Sequence, residues 1–395
     1  MMRPGGAGPV LLWSAGEASG DRHAARVIRA IHTARPDVRS IGLGGPEMAA
    51  AGVELLADME RISVVGLVEV LGRLGEILAV RRRLAARLAG SPGGQPPNLF
   101  IPVDFPGLNL RLARAAHARG VPVVYFISPQ LWAWGMGRLQ LIRQVVRRML
   151  VFFDFEAALY ARAGVPVTHV GHPLVEQVLE APPRDAARAA YGLDASDLAL
   201  VLQPGSRRGE VARLLPPLLA VAAALGRERP GLKVFVRVAQ GLDRATFARA
   251  AAAAGVAAEL VPGGDAAVVR ASDLALVAAG TATLETALLG TPMLIVYRVT
   301  PLTYMIARRL VRIDSIGLVN VVLGRPIVPE FVQGAFTVEA VVAAARHLLA
   351  DPAARAAQRA EFAGLGAKLG PAGAAERAAA AILDELARTE REAAR

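Results

Sequence analysis

Short apolar runs alternate with longer helical stretches along this 395-residue chain, and the rhythm occurs twice. In the first half the runs, each predicted as a buried strand, are Pro9–Ser14, Val38–Leu43, Asn98–Val103, Val121–Ile127 and Met149–Phe153. In the second half they are Leu198–Leu202, Lys233–Val238, Ala258–Val261, Leu274–Val277 and Pro292–Val296. Such runs with helices between them are typical of βαβ units in parallel sheets. The pattern predicts an α/β protein with two Rossmann-like domains that face each other across a cleft.

The segment Glu180–Asp197 contains two adjacent prolines and many charged residues, which is typical of a connection between domains. It predicts an amino-terminal domain over residues 1–178, a linker over 179–197 and a carboxyl-terminal domain over 198–345. The alanine- and charge-rich residues 346–395 are predicted to be helical, and such helices can pack back on the amino-terminal domain.

The net charge, the residue composition and the lengths of the apolar runs limit which functions the chain can have. The formal net charge of +11 favours phosphate-bearing ligands or an anionic membrane face, but no nucleic-acid motif accompanies it, so no nucleic-acid partner is predicted. The chain has no cysteine and no histidine pair with metal-ligand spacing, so no protein-bound metal is predicted. No apolar run is long enough for a transmembrane helix, and Val10–Trp13 is too short for a signal peptide. The sequence therefore predicts a protein that is soluble or lies on a membrane without crossing it.

A polar loop, Ser14–Asp21, connects the first predicted strand to the first helix, at the edge where open parallel sheets bind ligands. Its glycines allow a ligand to approach the backbone closely, and Ser19 is predicted to cap the helix. A capped turn without a ligand is an equally good interpretation. The side chains predicted to lie on the acceptor side or to support it are Glu17, Ser19, Asp21 and His23, together with Asn109 further along the chain.

Two further loops, Gln203–Arg208 and Ala278–Glu285, follow strands and open helices, so their amides and the helix dipoles can hold a phosphate. Arg207 can add charge-assisted bonds to a pyrophosphate, and the Glu285 carboxylate can accept hydrogen bonds from a ribose diol. The alternative is an ordinary helix start with solvated side chains. The nucleotide-binding residues predicted in these loops are Gly205, Ser206, Arg207, Gly280, Thr281, Thr283 and Glu285.

Asp104 directly follows a predicted strand and lies between two prolines, where ionisable groups are scarce. Apolar neighbours raise the pKa of an aspartate, which makes such a residue a candidate general base. The alternative is a turn aspartate that caps the helix beginning near Asn109.

The stretch Ile62–Leu88 is rich in apolar side chains and ends in a cluster of arginines. A basic amphipathic stretch of this kind can lie in a membrane interface or bind acyl chains. A core-packing helix with a basic outer face is the alternative. The residues predicted to contact a membrane or acyl chain are Val64, Val65, Leu67, Val68, Leu71, Leu74, Arg81 and Arg82.

Taken together and in this order, the motifs resemble the lipid-A-disaccharide synthase family from about Val10 to Val338. The segments that carry the resemblance are Ser14–Asp21, Gly42–Pro46, Val103–Asn109, Ser128–Trp134, Gly171–Pro173, Pro204–Arg207, Gly280–Glu285 and Asn320–Gln333. The resemblance implies the GT-B fold and an inverting, metal-independent condensation of UDP-2,3-diacylglucosamine with 2,3-diacylglucosamine 1-phosphate. Because the UDP-sugar is a substrate, the resemblance implies no cofactor. It further implies a peripheral position on the cytoplasmic face of the Gram-negative inner membrane.

The resemblance also implies roles for individual residues. Asp104 would be the catalytic base, and UDP would be held by Arg207, by the Gly280–Glu285 loop and by a segment that begins at Asn320 and ends at Gln333. Three positions depart from the usual pattern, because Gly107, Ala279 and Val319 stand where aspartate, serine and proline are common. Because Gly107 has no carboxylate, it leaves Asp104 without a second candidate base nearby. Ala279 and Val319 weaken the assignment of individual UDP contacts.

Two other functions fit parts of the sequence. A UDP-sugar 2-epimerase uses the same fold, but it needs no lipid surface, so the Ile62–Leu88 stretch argues against it; activity without an acceptor would support it. A non-catalytic phosphate- or nucleic-acid-binding protein is suggested by the net charge alone. Salt-sensitive binding to duplex DNA without affinity for UDP would support that function.

Overall fold

The computed structural model describes residues 8–59, 74–90, 94–133, 135–310 and 315–395. The chain divides into two compact units, Met1–Pro173 with Leu369–Arg395, and Leu174–Lys368. Each unit is built on a parallel sheet with intervening helices, which confirms the predicted α/β class.

The sheet of the first unit has seven parallel strands among the described residues, in the spatial order β3-β2-β1-β4-β5-β6-β7. Their bounds are β1 (Val10–Ala15), β2 (Arg39–Gly44), β3 (Glu54–Asp58), β4 (Leu99–Val103), β5 (Val124–Phe126), β6 (Arg148–Val151) and β7 (Val167–His169). The central strands are mainly apolar because helices cover both faces, and Leu11, Leu12 and Trp13 of β1 are completely buried.

Helices connect these strands and cover the sheet. They are α1 (Ala18–Ala34), α2 (Pro46–Ala50), α3 (Leu74–Leu88), α4 (Pro106–His117), α5 (Leu139–Val145) and α6 (Asp154–Arg162), with a 3₁₀ turn at Met136–Arg138. The register pairs Ala15 of β1 with Val103 of β4. The loops after these two strands therefore emerge side by side at the carboxyl edge of the sheet.

The sheet of the second unit has six parallel strands, in the order β10-β9-β8-β11-β12-β13, within the part of the chain that is described. Their bounds are β8 (Ala199–Gln203), β9 (Lys233–Val238), β10 (Ala258–Pro262), β11 (Leu274–Ala278), β12 (Met293–Tyr297) and β13 (Glu330–Val332). The strands β8 and β11 are buried over their whole length.

The helices that begin between Leu174 and Leu365 accompany this sheet. They are α7 (Leu174–Leu179), α8 (Arg184–Ala190), α9 (Arg208–Glu228), α10 (Arg244–Ala253), α11 (Ala266–Ala271), α12 (Thr281–Leu288), α13 (Pro301–Leu310), α14 (Leu318–Leu323), α15 (Val338–Ala350), α16 (Pro352–Phe362) and α17 (Leu365–Leu369), with a 3₁₀ turn at Gln333–Ala335. Aspartates Asp243, Asp265 and Asp351 each accept two backbone amides at the start of α10, α11 and α16, which fixes where these helices begin.

The last helix, α18 (Ala374–Ala393), returns to the first unit and packs against α1. Its buried Glu385 pairs with Arg147 and Arg148 at 2.8 and 2.7 Å. Residues 346–368, which the sequence grouped with this helix, instead belong to the second unit. There the Gln358 side chain bonds to the backbone N–H and C=O of Met293 at 2.6 and 3.2 Å.

The segment 179–197, predicted as a linker, is also part of the second unit, because two of its arginines pair with a buried carboxylate. Arg184 and Arg188 donate to the Asp273 carboxylate at 2.7 and 3.3 Å. Asp273 in turn accepts the backbone N–H of Ala199 at the start of β8. Charge in this stretch therefore reflects a specific ion-pair cluster rather than solvation.

One helix among the described residues, Arg208–Glu228, is long and apolar enough to span a membrane by composition alone. Its buried residues, among them Leu214, Leu218 and Leu225, join the apolar core of the second unit. This packing is typical of a helix in the apolar core of a globular domain.

Candidate functional site

Asp104 lies just beyond the carboxyl end of β4 in a strained backbone conformation. Asp104 and Phe105 have φ values of 42° and 48°, in the left-handed region that non-glycine residues rarely adopt. Each such residue costs about 1–3 kcal/mol and persists only where its surroundings hold it. The Asp104 carbonyl accepts two bonds of 2.7 Å, from the Tyr125 hydroxyl and from Nδ2 of Asn109.

Asn109 is fully buried and joins the ends of β1 and β4. Its Nδ2 also donates to the carbonyls of Ser14 and Val103 at 3.0 and 3.1 Å, and its Oδ1 accepts the Ser14 hydroxyl at 2.6 Å. Asn109 therefore supports Asp104 through the backbone. With its amide surrounded by these protein partners, it is a structural support.

The Asp104 side chain has the electrostatics of a general base. Burial, together with the nearby Glu17 charge, raises its pKa from 3.8 to about 6, although the Phe105 amide opposes the rise. At pH 7 the group is therefore mainly ionised but accepts a proton more readily than an ordinary aspartate.

The loop Ser14–Asp21 contributes one candidate partner to Asp104 and one structural residue. Glu17 precedes α1 and is exposed, close enough to Asp104 to affect its pKa. Asp21 is 1% exposed, and its carboxylate accepts the amides of Gly45, Glu47 and Met48 at 2.7, 3.0 and 3.2 Å. Its oxygens are thus committed to the start of α2.

The prediction that Ser19 caps α1 is wrong. Ser19 lies exposed inside the first turn, because the helix begins at Ala18 and Glu17 occupies the capping position without a side-chain bond. The predicted cap was two residues late because the prediction relied on the preference of serine for capping positions and not on where β1 ends.

His23 does not face solvent as a helix residue would by default. Its ring lies edge-on to Phe152 at 5.4 Å, and burial, aided by nearby arginines, lowers its pKa to about 4. His172 packs on the same phenylalanine at 5.2 Å, and burial lowers its pKa to about 3. Both imidazoles are therefore neutral at physiological pH and belong to an aromatic cluster at the carboxyl edge of the first sheet.

In the second unit, two helix starts present amides at the carboxyl ends of β8 and β11. Gly205 has φ 104°, and Gly280, which caps α12, has φ 139°. A Cβ at Gly205 would overlap the Glu210 carboxylate, which accepts the Ser206 amide at 3.2 Å. Arg207, at the capping position of α9, is exposed, and Thr281 opens α12 with its side chain exposed. These features fit an anion seat.

Glu285 has a partner that the sequence analysis did not identify. Arg237, near the end of β9, donates to its two oxygens at 2.9 and 3.0 Å, and donates a third bond of 2.8 Å to Oε1 of Gln203. A charged residue near the end of an otherwise apolar strand was the available signal. Tyr125 was also missed, for a different reason: an aromatic residue in β5 looks like part of the apolar core, and the sequence gives no sign that its hydroxyl bonds to Asp104.

Three predicted UDP-binding residues make structural bonds within the second unit. Asn320 is 1% exposed and bonds to Glu330, Ile327 and Val328 through both ends of its amide. The buried Thr283 hydroxyl donates to the Gly280 carbonyl at 2.7 Å. Gln333, with φ 53°, donates to the Val299 carbonyl at 3.2 Å. These residues shape the loops beside the helix starts.

The predicted membrane-contact residues Val64, Val65, Leu67, Val68 and Leu71 lie outside the described residues, and Leu74 begins α3. In the described part of that stretch, α3 buries Val80, Leu84 and Leu88 in the core. Arg81 is half-buried and Arg82 is exposed. This part of the stretch is a core-packing helix with a basic outer face.

Among the described residues, no group of three or more histidine, aspartate or glutamate side chains is placed to hold a metal ion. The prediction that no metal is bound rests on the sequence.

Comparisons with known proteins agree over nearly the whole chain. Residues 11–379 match the model of a family described as lipid-A-disaccharide synthetase. The chain is 42% identical over 378 residues to a lipid-A-disaccharide synthase of Myxococcus xanthus (strain DK1622), covering 96% of this chain and 98% of the relative. It is 44% identical over 374 residues to the lipid-A-disaccharide synthase of Anaeromyxobacter sp. (strain K), covering 94% and 96%.

Solved structures of other proteins share the fold. CalG4, the calicheamicin glycosyltransferase, superposes with a TM-score of 0.60 at 16% identity, covering 96% of this chain and 99% of that one. The UDP-GlcNAc 2-epimerase of Neisseria meningitidis, solved with UDP-GlcNAc, gives 0.56 at 10% identity, covering 96% and 99%. At these identities the likeness establishes the two-domain α/β fold alone.

Proposed function

We propose substrates and residue roles for this chain, which belongs to the lipid-A-disaccharide synthase family and is a glycosyltransferase of lipid A biosynthesis. A member of this family uses a sugar nucleotide and a lipid-linked sugar. We propose UDP-2,3-diacylglucosamine as the donor and 2,3-diacylglucosamine 1-phosphate as the acceptor. The products are the β-1,6-linked disaccharide 1-phosphate and UDP.

The single observation that carries the proposed chemistry is Asp104, a partly buried carboxylate whose pKa is raised to about 6 at the carboxyl edge of a sheet. We propose that it removes the proton from the acceptor 6-hydroxyl as that oxygen attacks the anomeric carbon of the donor. The anomeric C–O bond to UDP breaks in the same step, which inverts the configuration. Tyr125 and Asn109 hold the Asp104 backbone so that the carboxylate keeps its orientation.

The second unit supplies the proposed nucleotide contacts. The leaving pyrophosphate gains negative charge as the bond breaks, and preorganised donors stabilise such charge without reorganisation. We assign this role to Arg207 and to the amides at the starts of α9 and α12, in a metal-independent reaction. Glu285 is assigned to the ribose diol, because a carboxylate offers acceptors for two hydroxyl donors.

We further propose that the protein works at the cytoplasmic face of the inner membrane, without crossing it. Both substrates carry acyl chains, so the reaction needs access to a lipid surface. The net charge of +11 favours contact with anionic lipids.

Incubation of the purified protein with both acylated sugars in detergent micelles tests this function. We expect mass spectrometry to detect the tetraacyl disaccharide 1-phosphate and an equal amount of UDP, and proton NMR to show a β-linkage. Omitting the acceptor is the control. UDP release at the full rate without acceptor, or an α-linkage, would contradict the proposal.

A further inference from the structure

A buried polar network lies at the carboxyl ends of β8 and β9 in the second unit, beneath the start of α12. Arg237 is 6% exposed and makes a two-pronged ion pair with Glu285. Gln203, the last residue of β8, is 5% exposed and accepts a bond from Arg237 through Oε1. The network therefore joins two neighbouring strands to the helix that carries Glu285.

Every bond in this network has one direction, because arginine only donates and an ionised carboxylate only accepts. With Oε1 of Gln203 facing Arg237, its Nε2 donates to the Thr286 hydroxyl at 2.9 Å. That hydroxyl donates to the Ala282 carbonyl at 2.7 Å, in the first turn of α12. The Glu285 carboxylate and the amides at the start of α12 are thus held in one fixed arrangement.

Arg237 cannot act as Arg207 does. Arg207 is exposed and can reach a ligand, whereas the Arg237 guanidinium is sealed in the protein, and its Nε–H has no hydrogen-bond partner within the described ranges. Any effect of Arg237 on a ligand therefore passes through Glu285.

We infer that Arg237, supported by Gln203, is a positioning residue that fixes the Glu285 carboxylate for recognition of a ribose diol and so sets the preference for ribonucleotides. This inference rests on the proposed function, which assigns the ribose to Glu285. Each carboxylate oxygen has two acceptor directions, and the arginine fork occupies one on each. The second direction on each oxygen stays available for the 2′- and 3′-hydroxyls.

The test compares the dissociation constants of UDP and 2′-deoxy-UDP by isothermal titration calorimetry. 2′-Deoxy-UDP lacks one hydroxyl and therefore loses one hydrogen bond to the charged carboxylate. We expect the wild-type protein to bind UDP on the order of 10-fold tighter than 2′-deoxy-UDP, or more. We expect Arg237→Met to bring this ratio to within about 3-fold of unity, because the carboxylate is then free to rotate. Arg237→Lys keeps the positive charge but lacks the fork, so its ratio should also fall.

Arg184→Met is the matched control, because it removes another arginine–carboxylate pair of the same unit, Arg184 with Asp273, at the amino end of β8. Its UDP to deoxy-UDP ratio should equal that of the wild type. A wild-type ratio near unity would overturn the ribose assignment of Glu285. A clear wild-type ratio that survives in both Arg237 variants would overturn the role of Arg237 alone, and leave the proposed function standing.

Discussion

Replacing Asp104 by asparagine should make the protein more stable at neutral pH while it impairs catalysis. The folded-state pKa of Asp104 is about 6, against 3.8 for an ordinary aspartate. An acid whose pKa rises on folding binds its proton more tightly in the folded state, so stability falls as pH rises from about 4 to 6 and stays lower above that range. The difference corresponds to at most about 3 kcal/mol, since one pKa unit is about 1.4 kcal/mol. Asparagine, which carries no charge, escapes this penalty.

Calorimetric unfolding of both proteins between pH 4 and pH 8 measures the effect. We expect the variant to unfold a few degrees higher at pH 8, up to about 10 °C, and at the same temperature as the wild type near pH 4. The control Asp37→Asn should show the opposite sign at pH 8, because the Arg35 partner lowers the pKa of that exposed carboxyl. An Asp104→Asn protein that unfolds at or below the wild-type temperature at pH 8 would refute the argument that burial raises this pKa.

Three further substitutions test separate parts of the account. Asp21→Ala leaves three backbone amides at the start of α2 without their acceptor, and a denaturant titration should show a loss of about 3–5 kcal/mol in the free energy of unfolding. Unchanged stability with lost activity would instead make Asp21 a substrate contact. Tyr125→Phe removes a hydrogen bond to the Asp104 backbone and should lower kcat about 10-fold at constant KM. The control Tyr160→Phe removes a hydroxyl that bonds to Ser128 and should leave kcat unchanged. Equal effects of the two substitutions would contradict a positioning role for Tyr125. Gly205→Ala combines an unfavourable φ with overlap of the Glu210 carboxylate, so the Kd for UDP should rise about 10-fold or more by calorimetry; an unchanged Kd would place the pyrophosphate elsewhere.

Most of the strands that the sequence predicted lie inside the sheets, whereas those it missed lie at the edges; β10 is an edge strand that was predicted. The buried central strands, such as β1 and β8, are continuous apolar runs and were predicted to within a residue or two. The missed strands β3, β7 and β13 are all edge strands, short and half-exposed, so they carry no apolar run. Edge strands depend on one neighbour, and a single sequence does not show that neighbour.

The site residues divide in a similar way. The position of Asp104 at a strand end was predictable from the chain order alone, and its raised pKa follows from its apolar setting. The roles of Asp21 and Asn320 were not, because Asp21 bonds to backbone groups 24 to 27 residues away along the chain, and Asn320 to groups 7 and 8 residues away. Arg237 and Glu285 are 48 residues apart along the chain, and they meet because β9 and β11 both pair with β8.

The pH dependence of kcat/KM tests most directly whether Asp104 is the base. Because the ionised carboxylate is the active form, kcat/KM should fall about 10-fold for each unit below a midpoint near pH 6, the pKa of Asp104 in the free protein. Asp104→Asn should lose this acid limb and reduce the plateau by about 100-fold or more. An Asp104→Asn enzyme with near-normal turnover, or with the same midpoint near pH 6, would contradict the account.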